Sequence, residues 1–197
     1  MDNIRVQREI KKTKKDFDLQ IKKSGKIIDN AVCAPDPDNI LEWFFVIWGL
    51  DGNFQGGYFL GKVILPQTYP KTPPKVKVIV QNGHFERNSE ICMSMTDMHP
   101  ESWSPIWTVQ KVVLALASFW TDPESSYTSG AVHYSGSSEH QQIKREYDEL
   151  EGTLLSRQET VDHAKFAGVF SDYVDFIGIK DEFDGSKIEE KLAAVKK

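Results

Sequence analysis

Cys92 is one of two cysteines in the 197-residue sequence, and it lies in the polar stretch 82–107, NGHFERNSEICMSMTDMHPESWSPIW. A thiol only partly exposed to water can ionise near neutral pH and act as a nucleophile. The alternative is a small buried hydrophobe, which describes most free cysteines. His99 follows seven residues later in a His-Pro loop. A histidine placed there can take a proton from an attacking group, although a lone surface histidine often has no such role. Asn82-Gly83 is a common turn pair, and His84 stands next to it. A cysteine hydrolase would need a histidine and an orienting carboxamide or carboxylate held together with the thiol, and sequence alone carries no such geometry. Two distant cysteines and scattered histidines lack metal-ligand spacing, so no metal is expected. No glycine-rich phosphate loop appears, so the chain should need no cofactor and should not use ATP itself.

Length suits one domain with an appended helical tail, and the ordinary apolar content can supply a normal core. The net charge of −5 is uneven: residues 1–27 carry nine Lys or Arg against four acids, and residues 139–197 carry nine against fourteen. Neither end resembles a nucleic-acid arm, because its basic residues are interleaved with acids. The longest uncharged apolar run, residues 112–120, is about half a bilayer span, so no transmembrane segment is expected. With no secretory leader legible and no disulfide framework, a reducing, cytoplasmic setting is expected.

The elements that must position Cys92 follow from periodicity. Residues 3–24 read as an amphipathic helix, with Val6, Ile10, Phe17 and Ile21 on one face and a stop at Ser24-Gly25. Residues 33–38 read as a proline-rich link with Cys33 at the edge of the core. The aromatic run 42–50 reads as a strand covered on both faces or as part of a tightly packed meander, with Asp51-Gly52 as the hairpin turn and 58–65 as its partner. Pro66 ends that strand, residues 69–74 should be extended, and 75–81 alternates Val76, Val78 and Val80 inward. The fold reading is a four-strand antiparallel meander, of which these runs locate three strands.

After Cys92, Thr108 can cap a helix through Trp120, with Val109, Val112, Val113, Leu116 and Trp120 as its apolar stripe. Asp122-Pro123 ends it, and a Ser-, Gly- and Tyr-rich loop follows over 124–136. Ser138 with Gln141 forms a capping box for a last long helix from Glu139, broken near Gly152 or Gly168. Residues 181–197 read as a solvated helix.

Several motifs in this order resemble the ubiquitin-conjugating enzymes. They are Phe54-Gln55-Gly56-Gly57-Tyr58, Leu65-Pro66, Tyr69-Pro70, Pro73-Pro74, Ile91-Cys92-Met93-Ser94 and Trp103-Ser104-Pro105. Asn39-Ile40-Leu41-Glu42-Trp43, Asn82-Gly83-His84-Phe85 and the inserted His99-Pro100-Glu101-Ser102-Trp103 are similar to one branch. That branch holds the tail-anchored enzymes of endoplasmic-reticulum-associated degradation. The resemblance runs from about residue 4 to about 165, and implies a catalytic core over 1–165 with a C-terminal extension over 166–197. It also implies an α+β fold, the meander packed against helices.

By this resemblance Cys92 would accept ubiquitin as a thioester from an activating enzyme and pass it to a protein substrate, usually with a RING-type ligase. The family's His-Pro-Asn triplet is missing, so its oxyanion role falls to Asn82, or to His84. His99 would be the proton acceptor. The ligase would dock on Tyr69, Pro70 and Lys71 and on Ser104, Pro105 and Ile106. Lys71 stands where relatives commonly carry an aromatic residue. The activating enzyme would dock on Arg5, Arg8, Lys11, Lys12 and Lys15. Trp103 and Trp107 are expected to pack against the core. A catalytically silent binding module is the alternative, disfavoured by the presence of Cys92. The branch's membrane anchor does not occur within the 197 residues, so contact with the cytosolic face of the endoplasmic reticulum is expected only if an anchor follows Lys197.

Overall fold

The computed structural model describes residues 4–27, 29–51, 54, 58–79, 82, 84–122, 125, 128, 130, 131 and 169. Helix α1 spans Ile4–Ser24. It ends where Gly25 takes φ 72° and its N–H bonds the Ile21 carbonyl at 2.8 Å, a left-handed closure that glycine adopts without steric penalty. Its inward face differs from the expected stripe. Val6 and Phe17 are buried as anticipated, but Glu9 and Thr13 are buried between them, while Ile10 and Ile21 are only partly covered.

The sheet is antiparallel in the order β1-β2-β3-β4, the expected meander. Its strands are β1 (Ala31–Pro35), β2 (Glu42–Trp48), β3 (Tyr58–Ile64) and β4 (Lys75–Val78). The expected link at 33–38 is corrected here: Cys33 pairs with Phe45 and Pro35 with Trp43, so this segment forms the edge strand. Proline at the last position of an edge strand removes no donor the ladder needs. The turn begins only at Asp36, whose side chain accepts the Asp38 N–H at 2.9 Å.

The strands are also shorter than their apolar runs. Gly49, at φ 65°, follows the end of β2, and beyond β3 the Leu65 N–H bonds the Leu41 carbonyl at 2.7 Å. Beyond β4, Ile79 still donates to Leu60 at 2.9 Å. Residues 69–74 are not simply extended. Tyr69 and Lys71 keep their N–H groups, which close turns onto Pro66 and Thr68 at 2.9 and 2.8 Å. Gly52, Val80 and Gln81 lie outside the described residues, as do the helices expected after Ser138 except for Val169.

Every residue from Trp43 to Ile47 is buried, so β2 is covered on both faces as its composition implied. Trp43, Phe45 and Ile47 face the cluster that includes Val112, Val113, Leu116 and Trp120 of helix α2 (Val109–Trp120). Phe44 and Val46 face a second cluster with Phe17 of α1. Gly61 is required on β3, because a Cβ there would lie 2.1 Å from the Phe45 ring and 2.4 Å from the Lys77 carbonyl oxygen. Thr108 caps α2 as expected, its hydroxyl accepting the Lys111 N–H at 3.3 Å. No helix among the described residues is long and apolar enough to cross a membrane.

Candidate active site

The Cys92 loop is pinned to the outer edge of β4. Asn88 N–H bonds the Val78 carbonyl at 2.8 Å and Ile91 N–H bonds the Val76 carbonyl at 2.9 Å. Lys75 of β4 clamps the loop on both sides of the cysteine, with its ammonium 2.9 Å from Glu90 and 3.3 Å from Asp97. The pairing holds the Glu90 carboxyl below its ordinary range and raises the lysine. Ile91 and Met93 are buried on either side, and Cys92 between them is half-buried. Thr96 closes the turn after it: its hydroxyl accepts from Met93 N at 3.1 Å and donates to the Met93 carbonyl at 2.9 Å. The Thr128 hydroxyl donates to the Cys92 carbonyl, tying the cysteine to the chain that follows α2.

The two cysteines are thereby separated in kind. Cys33 is 2% exposed, and burial, with the nearby negative Glu9, pushes its thiol far above the ordinary range. Cys92, by contrast, is only half-buried.

Asn82 is 1% exposed. Its side-chain oxygen accepts from the N–H groups of His84 and Phe85 at 3.0 and 2.8 Å, and its amide donates to the Phe85 carbonyl at 3.2 Å. These bonds build a buried turn that presents His84 to the interior. The His84 ring packs on Phe85 at 4.4 Å and Phe54 at 5.3 Å between centroids, and its Nε2 lies 2.8 Å from the Ser125 hydroxyl. The Ser125 hydroxyl also lies within hydrogen-bond reach of the Asp122 and Trp120 carbonyls. Burial pushes the His84 imidazole down to about 4, and the ring is neutral at neutral pH.

His99 lies at the start of a single 3₁₀ turn, Pro100–Ser102, with its side chain half-exposed. Its Nδ1 is 2.9 Å from Glu101, whose carboxyl is held below the ordinary range by that contact. Among the described residues the Cys92 thiol hydrogen-bonds neither histidine, so the cysteine–histidine pair of a hydrolase is not assembled.

Two exposed loop tips stand together beyond α1. Lys71 is exposed after a partly covered Pro70, and Pro105 and Ile106 are exposed after a partly covered Ser104, Ile106 at 70%. Trp103 joins them, its indole N–H donating to the Pro70 carbonyl at 2.9 Å. Trp103 and Trp107 are partly buried against the core. Tyr69 is buried at 4%, beneath this surface rather than on it. On α1, Arg8, Lys11, Lys12 and Lys15 are exposed, whereas Arg5 turns inward to Glu9 and to the Trp107 carbonyl at 3.2 Å.

A family profile described as ubiquitin-conjugating enzyme matches residues 5–151. The chain belongs to the ubiquitin-conjugating enzyme family. Its relatives include ubiquitin-conjugating enzyme E2 34 of Arabidopsis thaliana, 41% identical over 107 residues, which are 54% of this chain and 44% of that protein. Ubiquitin-conjugating enzyme E2 J2 of Homo sapiens is 41% identical over 106 residues, 53% of this chain and 40% of that protein. These relatives agree with the branch to which the sequence motifs pointed. The matched stretch is less than half the length of either relative. A Plasmodium yoelii crystal structure assigned to the ubiquitin-conjugating enzymes shares the fold, with a TM-score of 0.50, 22% identity and coverage of 76% of this chain and 84% of that one.

Two residues of this ubiquitin-conjugating fold carried no functional reading in the sequence. Thr128 lies in a loop where nothing in the spacing singles out one hydroxyl. Glu9 did leave a signal, as an acid within the apolar stripe between Val6 and Phe17. A carboxylate at such a position is buried only when donors surround it.

Proposed function

We propose that this chain accepts the C-terminal carboxyl of ubiquitin on Cys92 and transfers it to protein substrates. The Cys92 thiolate attacks the activated carboxyl carried by the activating enzyme, forming a thioester and expelling the activating enzyme's own thiol. An acceptor lysine amine, or a Ser or Thr hydroxyl, then attacks the thioester carbonyl and the Cys92 thiol leaves. The driving force resides in the thioester, so the protein's task is positioning and stabilising the developing oxyanion. The observation that carries the reading is the half-exposed Cys92 on a loop clamped at both ends, while Cys33 is sealed in the core.

In this reading Asn82 supports the oxyanion side of the site through the turn it builds, with His84 as the neighbouring alternative. His99, oriented by Glu101, takes the proton of a hydroxyl acceptor. The exposed Arg8, Lys11, Lys12 and Lys15, with Arg5 at their inner edge, receive the activating enzyme. A RING-type ligase docks on Pro70, Lys71, Ser104, Pro105 and Ile106, supported from below by Tyr69. Lys71, in place of the usual aromatic residue, favours a ligase with an acidic contact there. The resemblance to that branch supports a role in endoplasmic-reticulum-associated degradation, on the cytosolic side.

A charging assay tests this. With activating enzyme, ubiquitin and ATP, the chain should gain one ubiquitin in a band that thiol reductant removes. Cys92→Ala should abolish the band and Cys33→Ala should keep it. In the same assay His99→Ala should slow discharge to a hydroxyl acceptor more than discharge to an amine. A folded chain that takes no ubiquitin would favour the silent binding module.

A further inference from the structure

Three donors from three elements converge on one buried carboxylate. Glu9 of α1 is 4% exposed. Its Oε1 accepts from the Arg5 guanidinium and from the Tyr69 hydroxyl at 2.8 Å, and its Oε2 accepts from the Val109 N–H at 3.0 Å. Val109 opens α2, so its N–H is one of the donors a helix start leaves without an internal partner, and a negative charge suits that end. Tyr69 immediately precedes the Pro70-Lys71 tip. Trp107, whose carbonyl accepts from Arg5, lies one residue after Ile106. Glu9 therefore holds the first tip through Tyr69 and the second through Val109 and, by way of Arg5, Trp107; the Trp103–Pro70 bond and the Tyr69 hydroxyl, 3.3 Å from the Trp107 carbonyl, tie the two loops to each other.

For the fold alone this is a costly choice. An apolar side chain at position 9 would extend the stripe from Val6 to Phe17 without burying a charge. What the carboxylate adds is direction, because its two oxygens fix where Tyr69 and Val109 sit relative to α1.

We infer that Glu9 is a positioning residue that sets the separation of the two ligase-docking loops. The inference rests on the reading of those loops as the ligase surface, and it does not involve the Cys92 chemistry. A glutamine at position 9 offers one oxygen and one NH2 to donors arriving on both sides, so at least one donor meets another donor. Methionine fills similar volume and offers no acceptor.

The test uses the full chain with Glu9→Gln and Glu9→Met, each checked for a cooperative thermal transition. An isolated RING domain with measurable affinity for the parent chain is titrated onto the uncharged proteins. The dissociation constant should rise about tenfold in Glu9→Gln and further in Glu9→Met. The rate of thioester charging at saturating activating enzyme, where any change in the docking of Arg5 does not count, should stay within about twofold of the parent. Folded variants that bind the RING domain as the parent does would overturn the inference. So would binding and charging that fall together, which marks Glu9 as a general structural residue. Should Glu9→Met not fold, Glu9→Gln decides. Should the parent bind the RING domain yet take no ubiquitin, the thioester reading fails, and the binding comparison still decides the role of Glu9.

Discussion

Lowering the pH should destabilise this protein before its carboxylates begin to protonate, and His84 is the cause. The folded state holds His84 neutral among Phe54, Phe85 and Trp120, down to about 4 from an ordinary value of 6.5. The unfolded chain takes up the proton first, so stability is complete above pH 6.5 and is lost as pH falls toward 4. The gap between 6.5 and about 4, at 1.36 kcal/mol per pH unit, is worth about 3 kcal/mol. The slope approaches about 1.4 kcal/mol per pH unit near pH 5. Urea unfolding at half-unit steps from pH 7.5 to 4.5 measures it. His84→Gln removes the titration while keeping a side chain that can reach Ser125, and its curve should be flatter by that amount. Glu90 and Glu101, both held below the ordinary carboxylate range, contribute mainly below this window. A parent slope that matches that of His84→Gln between pH 6.5 and 4.5 would refute the assignment of a buried neutral imidazole.

Two further outcomes follow from packing. A water-soluble alkylating reagent should modify Cys92 in the native chain and reach Cys33 only after denaturant is added, as read by intact mass; prompt double labelling would contradict the burial of Cys33. Gly61→Ala should cost about 3 kcal/mol or more, because its Cβ would meet the backbone oxygen of Lys77 at 2.4 Å as well as the Phe45 ring. A melting temperature within a degree or two of the parent would show that the strands can separate there.

Much of the scaffold was legible because each element obeys its own period. The run from Glu42 to Trp48 is too apolar to face water on either side, and it is covered on both. Thr108 before the stripe of α2 fixed a boundary, and Gly25 fixed the end of α1. The edge strand was misread because proline was taken to forbid pairing, whereas Pro35 sits where the ladder asks for no donor. The turns at 69–74 are hidden in the sequence because the prolines stand beside two residues, Tyr69 and Lys71, whose N–H groups close turns onto Pro66 and Thr68.

The order of motifs around Cys92, a local property of the chain, was enough to determine family and fold class. What the sequence could not contain is which polar groups meet across long separations. Glu9 reaches Val109, Tyr69 meets Glu9, and Thr128 reaches back to Cys92, because the meander and α2 bring those segments together. The polar setting of Cys92 singles it out in the sequence, and the tertiary structure supplies the physical difference between the two cysteines. Burial beside Glu9 pushes the Cys33 thiol up, whereas Cys92 is half-buried on the loop held along β4.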